Sequence, residues 1–187
     1  MPHALIVGGT GMLKGVPNYL TQHGYTVSVI ARNPNGLNKL IESKSEHGFI
    51  NPIRVDYSDY YLLEEKLKSA LDSFGKIETA VCWIHSTASE APFIIAGILN
   101  KQNIKVKFYH VLGSANIPPD GRNQKFESEI SGYENIIYRK ITLGFVIEDD
   151  KSRWLTDTEI SNGVIDAVIK EDNNFVVGKI EPKEKLP

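Results

Sequence analysis

The chain has 187 residues, of which 24% are charged and 41% are hydrophobic, values typical of a single globular domain. Its 21 Lys and Arg residues nearly balance 23 Asp and Glu residues, and the formal net charge of -2 excludes the strongly basic surface of a nucleic-acid-binding protein. The single cysteine, Cys82, excludes a disulfide framework and a multi-cysteine metal site, so we expect one domain over residues 1–187 that is held together by packing.

Short runs rich in β-branched residues predict seven β-strands along the chain. The runs are mostly apolar throughout instead of alternating between apolar and polar residues. That pattern is typical of strands buried on both faces of a parallel sheet. The predicted strands cover residues 4–7, 27–31, 49–55, 79–84, 106–112, 136–147 and 175–177.

Apolar residues at helical spacing predict helices between these strands. They cover residues 37–46, which is short, 60–74, which is the clearest, and 92–102, which is the most apolar. A last helix follows a capping box formed by Thr156 and Glu159. Residues 113–123, which include two prolines, are predicted to form a surface loop at the end of the fifth strand. This alternation of strands and helices predicts an α/β fold, a three-layer doubly wound parallel sheet with right-handed crossovers.

The first predicted strand runs into a glycine-rich turn and then a helix, in the sequence ALIVGGTGMLKGVP over residues 4–17. Glycine permits a sharp turn, lets a pyrophosphate approach bare backbone, and lets the helix pack closely on the strand. Free amides and the helix dipole favour negative charge there. A tight turn without a ligand is the alternative. The context favours a dinucleotide site, with contacts from Gly8, Gly9, Thr10, Gly11, Met12, Leu13 and Lys14.

These residues resemble the short-chain dehydrogenase/reductase superfamily, particularly its extended and atypical members, in which the turn reads Thr-Gly-x-x-Gly-x-x-Gly. Gly8 and Gly11 match the first two glycines of that motif. The third glycine is displaced by one residue, because Lys14 stands at the expected position and Gly15 follows it. The resemblance implies a Rossmann fold that binds a nicotinamide dinucleotide.

The end of the second strand bears on the choice between the two nicotinamide dinucleotides. Sites that prefer NAD place Asp or Glu there, whereas this strand ends in Arg32 and Asn33, and a guanidinium can bind a 2′-phosphate. In the resembling family, a basic residue before a motif glycine, here Lys14, also marks NADP preference. We therefore predict NADP, with NAD as the alternative. Asp56 matches an acidic residue that the family places beside adenine, and capping of a helix near Ser58 is the alternative role.

The resemblance also implies a catalytic tyrosine, a lysine four residues later and a serine at the end of the fifth strand. Ser114 fits the serine position, but none of the eight tyrosines has a lysine four residues later. Another group must then move the proton, and the carboxyl ends of the strands are where open α/β sheets bind ligands. His85 is the leading candidate, with a hydrogen bond to the cofactor ribose as its alternative role. The others are Ser86, Ser114 and Tyr133.

Three further observations concern structural side chains. His110 lies inside a predicted strand and is expected to be a buried, hydrogen-bonded residue. Trp154 could wall a pocket, but anchoring by helix packing is the role we predict for it. The other histidines show no metal-ligand spacing, so no metal site is predicted.

Two functions stay open at this level. One is an NADP(H)-dependent oxidoreductase that acts on a small carbonyl or alcohol through a non-standard proton donor. The other is a dinucleotide-binding sensor or interaction module without turnover, favoured by the missing tyrosine and lysine. We expect a small-molecule substrate, no nucleic-acid or membrane partner, and a cytoplasmic location, because no apolar stretch could span a bilayer and no signal-like segment opens the chain. Since the resembling family usually forms dimers or tetramers, a homo-oligomer is implied.

Overall fold

The computed structural model describes residues 1–44, 48–114, 122–149 and 151–187. Within these ranges the strands are β1 (His3–Val7), β2 (Thr26–Ala31), β3 (Phe49–Arg54), β4 (Ile77–Trp83), β5 (Val106–Gly113), β6 (Ile136–Leu143), β7 (Phe145–Glu148), β8 (Lys151–Trp154) and β9 (Asn174–Val177). The α-helices are α1 (Gly15–Gln22), α2 (Pro34–Ser43), α3 (Tyr60–Phe74), α4 (Ala91–Asn100), α5 (Arg122–Ile130) and α6 (Asp157–Lys170).

Seven of these strands form one parallel sheet in the order β3-β2-β1-β4-β5-β6-β9. Helices α1, α2 and α6 cover one face of the sheet, and α3, α4 and α5 cover the other. The predicted three-layer doubly wound α/β fold is therefore confirmed. Strand order reverses direction between β1 and β4, so the loops at their carboxyl ends separate and leave a crevice.

The sheet forms because its central strands are mostly apolar and buried on both faces. All five residues of β1 and all six of β2 are buried, as strands covered on both faces must be. Their side chains alternate between two hydrophobic clusters, one beneath each helical layer. Burial of this kind is the main stabilising contribution to such a fold.

The helix boundaries follow from capping side chains. The predicted capping box at the start of α6 is confirmed, since Thr156 Oγ1 accepts from the Glu159 amide and the Glu159 carboxylate accepts from the Thr156 amide. Helix α3 has its predicted bounds. Helix α2 begins at Pro34, earlier than predicted, because Asn33 caps it and proline suits the first helical position. It ends at Ser43, and the predicted end at residue 46 lies outside the described ranges.

The prediction of a single strand over residues 136–147 is wrong. The segment divides at Gly144 into β6, which joins the parallel sheet, and β7, which pairs with β8 in an antiparallel hairpin. Gly144 is required at the division because a Cβ there would overlap the Lys179 carbonyl. The backbone amides of Phe145 and Lys179 each donate to the carbonyl of the other at 2.8 Å. These two hydrogen bonds hold the first residue of the hairpin to the segment that follows β9.

Helix α5 is not among the predicted elements. The loop predicted over residues 113–123 overlaps β5 at one end and α5 at the other, and residues 115–121 lie outside the described ranges. Within the described side chains of α5, Phe126 and Ile130 are buried. In the described part of the chain, no helix is both long enough and apolar enough to cross a membrane.

Candidate functional site

The glycine-rich turn sits at the carboxyl end of β1, where the sheet's strand order reverses. Gly8 has φ +81°, and its amide donates to the Ile30 carbonyl at 3.0 Å. A Cβ on Gly8 would lie 2.8 Å from the Trp83 carbonyl oxygen, so any side chain would push β4 away. A Cβ on Gly11, in contrast, would meet nothing within 4 Å. The backbone at Gly11 therefore faces open space that a ligand can enter.

The other two glycines of the turn serve packing. A Cβ on Gly9 would lie 2.8 Å from Val29 Cγ1, so glycine here allows close packing against β2. Gly15 begins α1, and its amide donates to Ser161 Oγ at 3.2 Å, while that hydroxyl donates to the Met12 carbonyl at 2.7 Å. A Cβ on Gly15 would lie 2.9 Å from Ser161 Cβ. The displaced third glycine thus serves the contact between α1 and α6.

A cleft of about 350 Å³ opens above the turn. Seven predicted cofactor-binding residues line it, and so do three residues that sequence reasoning missed. The missed residues lie at the ends of β2, β3 and β4, and their position after a strand was the available signal. The predicted lining residues are Gly8, Thr10, Gly11, Met12, Arg32, Asn33 and His85, and the additional ones are Ala31, Tyr57 and Trp83.

Four predicted cofactor-binding residues do not line this cleft. Gly9 is packed beneath the turn, and Leu13 is fully buried in the core. Lys14 is exposed at the start of α1, where its amide donates to the Gly11 carbonyl. Asp56 lies behind the guanidinium of Arg32. Their contacts with a cofactor remain predictions.

Arg32 and Asp56 form an exposed ion pair, with 3.3 Å between Arg32 Nη1 and Asp56 Oδ2. The other carboxylate oxygen accepts from the amide and the hydroxyl of Ser58, and these hydrogen bonds, together with Arg32, hold the pKa of Asp56 below its ordinary value. Asp56 therefore caps the turn at Ser58, whereas the cap of α3 is Asp59. Exposed ion pairs are weak, so Arg32 can exchange this partner for a phosphate.

The side chain of Asn33 is engaged in capping α2. Its side-chain oxygen accepts from the amides of Asn35 and Gly36, which makes it the cap of α2. A Cβ on Gly36 would lie 2.8 Å from Thr10 Cβ, so the start of α2 packs directly on the glycine-rich turn. The cap thereby fixes the wall of the cleft next to Arg32.

A second cavity, of about 250 Å³, adjoins the cleft at the carboxyl ends of β4 and β5. Trp83 and His85 line both spaces. The Tyr57 hydroxyl accepts from the His85 amide at 3.4 Å and so ties the loop after β4 to the loop after β3. The rest of the second cavity is lined by Ile84, Ser86, Ala88, Ser89, Glu90, Pro92, Phe93, His110, Val111, Leu112, Gly113, Lys125 and Phe126.

Comparison with solved structures finds this architecture repeatedly. A putative oxidoreductase from Escherichia coli superposes with a TM-score of 0.75 at 14% identity, over 95% of this chain and 96% of that one. A short-chain type dehydrogenase/reductase from Mycobacterium marinum gives 0.73 at 18% identity, over 95% and 93%. The chain has the short-chain dehydrogenase/reductase-like Rossmann fold. A short chain dehydrogenase/reductase from Burkholderia phymatum in complex with NAD gives 0.69 at 12% identity, over 94% and 88%.

These superpositions, at 12–18% identity, establish the short-chain dehydrogenase/reductase-like fold alone. No family model matches the sequence, and no curated protein matches it. The activity must therefore be argued from the residues of the site. Within the Rossmann fold, the cleft above Gly11 is suited to a dinucleotide, because it combines bare backbone, a helix start and a cation at the end of β2.

The predicted catalytic residues are dispersed in this Rossmann fold. His85 and Ser86 line the second cavity. Ser114 follows β5, and its Oγ is buried without a hydrogen-bond partner among the described residues. Tyr133 precedes β6 and packs against α4 with its hydroxyl facing Gly97, so its expected place at a strand's carboxyl end is wrong. Trp154 is 46% exposed on β8 opposite Phe145, which contradicts its predicted role as a helix-packing anchor.

His110 is buried and hydrogen-bonded, as predicted, but it also lines the second cavity. Its Nδ1 lies 3.2 Å from the Tyr138 hydroxyl on the neighbouring strand β6. Burial, and then the nearby Lys140 ammonium, lower the pKa of His110 to about 4, so the imidazole is neutral at pH 7. Sequence reasoning missed the cavity because the wall facing His110 is built by Phe126 of the unpredicted helix α5.

Proposed function

We propose that the chain is an NADP(H)-dependent oxidoreductase that acts on a small carbonyl or alcohol. The observation that carries this proposal is the shared wall of the two cavities, formed by Trp83 and His85. A dinucleotide that lies along the cleft from Arg32 towards His85 would bring its nicotinamide end to the second cavity. A cavity of about 250 Å³ suits a small substrate.

The residues of the turn and of β2 have distinct roles in this proposal. Backbone amides around Gly11 would bind the pyrophosphate, because the turn leaves them accessible and the α1 dipole favours negative charge. Arg32 would leave its weak pair with Asp56 to bind the 2′-phosphate of NADP. The nicotinamide ring supplies hydride transfer when it is bound.

In this proposal His85 would hold either the cofactor ribose or the substrate oxygen. Its backbone is fixed by Tyr57, and its side chain is exposed to both cavities. A proton donor or acceptor at this point would offset the charge that develops on the substrate oxygen, an effect commonly worth about 10²- to 10⁴-fold in rate. Ser114, at the end of β5, is the second candidate for this contact.

A dinucleotide-binding module without turnover is the second candidate function. It is favoured by the composition of the second cavity, which has no tyrosine among its described lining residues. The family's tyrosine and lysine pair is also missing from the sequence. Both candidates share the same cofactor cleft, so binding and turnover must be tested separately.

Calorimetric titration with NADPH and NADH tests the cofactor. We expect tighter binding of NADPH, and Arg32→Ala should erase most of the difference, a loss of about tenfold to a hundredfold for one charged hydrogen-bonding group. Arg54→Ala, at an exposed site on β3, is the matched control and should retain the preference. Equal affinities of the wild type for the two dinucleotides would contradict NADP selection.

A panel of small alcohols and carbonyl compounds, assayed with saturating NADP⁺ or NADPH, tests turnover. The oxidoreductase proposal predicts a substrate whose turnover falls in His85→Ala or Ser114→Ala while NADPH affinity is retained. His23→Ala, at the exposed residue that caps the carboxyl end of α1, is the control. Cofactor binding with no turnover above background across the panel would leave the non-catalytic module as the function.

A further inference from the structure

A line of polar side chains runs from the second cavity to the surface between β5, β6 and α5. His110 Nδ1 lies 3.2 Å from the Tyr138 hydroxyl, which lies 3.5 Å from Glu127 Oε1. Lys140 Nζ donates to the same carboxylate oxygen at 3.0 Å. The parallel register places His110 directly opposite Lys140, so this arrangement follows from the pairing of β5 with β6.

The hydrogen bonds in this line fix which nitrogen of His110 carries the proton. The Glu127 carboxylate forms an ion pair with Lys140, and a carboxylate offers only acceptors. Tyr138 has one hydroxyl proton, and burial together with Glu127 raises its pKa, so the hydroxyl stays protonated and donates to Glu127. Its oxygen then accepts from His110 Nδ1–H. A neutral imidazole protonated at Nδ1 carries a lone pair on Nε2.

That lone pair belongs to a residue in the wall of the second cavity. His110 lines the cavity, and within the described residues no group is hydrogen-bonded to its Nε2. Phe126 stacks edge-on against the imidazole at 4.9 Å between ring centroids, and Phe93 packs on Phe126 at 5.0 Å. The part of the cavity next to the imidazole is therefore aromatic, and among the described residues Nε2 is an acceptor without a partner. The rest of the lining includes the polar residues Ser86, Ser89, Glu90 and Lys125. A ligand whose carbon skeleton lies on the aromatic rings and whose hydroxyl lies at Nε2 matches this part of the cavity.

We propose that His110 Nε2 accepts a hydrogen bond from the hydroxyl of a small apolar alcohol, so that the second cavity selects an aryl or alkyl alcohol over the corresponding ketone. Tyr138 and Glu127 are positioning residues, because they act by fixing the proton on Nδ1. The inference rests on the proposed function only in treating this ligand as the substrate. The binding preference itself needs no cofactor.

Selection arises because a ketone offers no donor. A ketone oxygen placed beside Nε2 would bring two acceptors together, whereas an alcohol of nearly the same shape pairs with the lone pair. One neutral hydrogen bond contributes about 0.5–1.5 kcal/mol, which corresponds to a preference of about twofold to tenfold. Residues that contact the carbon skeleton, such as Phe93 and Phe126, would not distinguish the two ligands.

Two measurements on the cofactor-free protein test this proposal. The first is ¹⁵N NMR of the histidine-labelled chain, with the His110 signals assigned by their loss in His110→Gln. The second is a comparison of the affinities for 1-phenylethanol and acetophenone. We expect His110 to carry its proton on Nδ1. We also expect 1-phenylethanol to shift the Nε2 resonance and to bind about twofold to tenfold more tightly than acetophenone.

In the variant Tyr138→Phe, the proton of His110 should no longer be fixed on Nδ1, and the preference for 1-phenylethanol should be lost. Tyr133→Phe, which changes a tyrosine packed on α4 outside the network, should leave both unchanged. Glu127→Gln is a second test that keeps the Tyr138 ring in place. An amide side chain can donate to the Tyr138 hydroxyl as well as accept from it, so Tyr138 could then donate to His110. We therefore expect both tautomers of His110 to be populated in this variant.

A proton on Nε2 in the wild type, or equal affinities for 1-phenylethanol and acetophenone, would overturn the proposal. A titration with NADPH on the same labelled sample separates this outcome from failure of the proposed function. If NADPH binds but the alcohol preference is absent, the ligand inference alone fails. If the alcohol preference is present but no nicotinamide dinucleotide binds, the proposed function fails.

Discussion

The amino-terminal part of the sheet, from β1 to α3, and the part from β4 onwards differ in how their strands and helices are connected. In the first, each strand leads into its helix with no other element between them, and most residues of the cleft follow β1 and β2. The cleft is completed by Tyr57 after β3 and by Trp83 and His85 at the end of β4. In the second, a hairpin follows β6, and the wall of the second cavity comes from the loop after β4 and from four elements, β4, α4, β5 and α5. The glycine-rich turn and the residues after β2 are therefore encoded by local sequence patterns, whereas the second cavity depends on contacts between distant segments.

The largest effect should come from the aromatic cluster behind the second cavity. Phe126 is 2% exposed and touches the rings of Phe93, Phe108, His110 and Tyr138. Phe126→Ala should lower the free energy of unfolding by about 3–5 kcal/mol, because a buried aromatic side chain leaves a cavity. Urea denaturation measures this loss.

The control for that variant is Phe49→Ala, since Phe49 is 43% exposed on β3. It should cost clearly less, because less apolar surface is buried there. NADPH affinity of the folded Phe126→Ala protein should be retained if the two parts of the molecule are as independent as their construction implies. Equal losses of unfolding free energy in Phe126→Ala and Phe49→Ala would contradict the expectation that the buried aromatic cluster contributes more to stability.

The next largest effect should be a pH dependence located in the second part. The pKa of His110 is about 4 in the folded chain, against an ordinary value of 6.5. The unfolded chain therefore binds this proton first, and the folded state loses stability as the pH falls from about 6.5 to about 4. The loss from His110 is about 3 kcal/mol, because each pKa unit corresponds to about 1.4 kcal/mol.

Urea denaturation at pH 7 and pH 4 should show this dependence as a difference between the wild type and His110→Gln. The variant should lose about 3 kcal/mol less over that interval, since it has no imidazole to protonate. Carboxylates titrate in both proteins, so only the difference is informative. The same loss in both would mean that His110 is not held neutral.

In the amino-terminal part, Gly8 should be more sensitive to substitution than a glycine of the same conformation elsewhere. Gly8 and Gly24 have φ of +81° and +78°, but only a Cβ on Gly8 would meet a neighbour, the Trp83 carbonyl at 2.8 Å. Gly8→Ala should cost about 2 kcal/mol more than Gly24→Ala, because overpacking adds to the shared backbone strain. Thermal denaturation compares their stability, and NADPH titration should show lost affinity in Gly8→Ala alone.

The smallest effect should come from the exposed ion pairs that join the hairpin to α6. Arg153 donates to both Glu148 and Glu159, and its hydrogen bonds to Glu159, with those of Thr156, lower the pKa of Glu159 to about 2. The stabilisation is present above the ordinary pKa of 4.5 and is lost as the pH falls towards 2. Glu159→Gln should lower the Tm slightly at pH 7, and the two proteins should converge near pH 2.

The sequence predicts the amino-terminal part well for a physical reason. The apolar strands and the glycine-rich turn are local patterns that can be recognised within a few residues. The capping box of Thr156 and Glu159, in the second part, is predictable for the same reason. Asn33 followed by Pro34 was also a readable helix start, although it was interpreted only as a cofactor contact. The displaced Gly15 could not be explained locally, because its partner Ser161 is 146 residues away.

The second part could be predicted only in outline. The sequence around Gly144 predicts one continuous strand, but the structure divides it there into β6 and β7. The division depends on the close approach of the Lys179 carbonyl, which is distant in sequence. Helix α5 is polar, and its burial rests on Phe126, whose partners come from β5, β6 and α4. His110 was interpreted as a buried structural residue because its exposure to a cavity depends on that helix.

A crystal structure of the complex with NADPH tests the central claim most directly, since that claim is a dinucleotide cleft that opens onto a substrate cavity at Trp83 and His85. We predict the pyrophosphate against the backbone at Gly11, the 2′-phosphate on Arg32 released from Asp56, and the nicotinamide between His85 and the second cavity. A nicotinamide turned away from that cavity, or a 2′-phosphate remote from Arg32, would contradict the account.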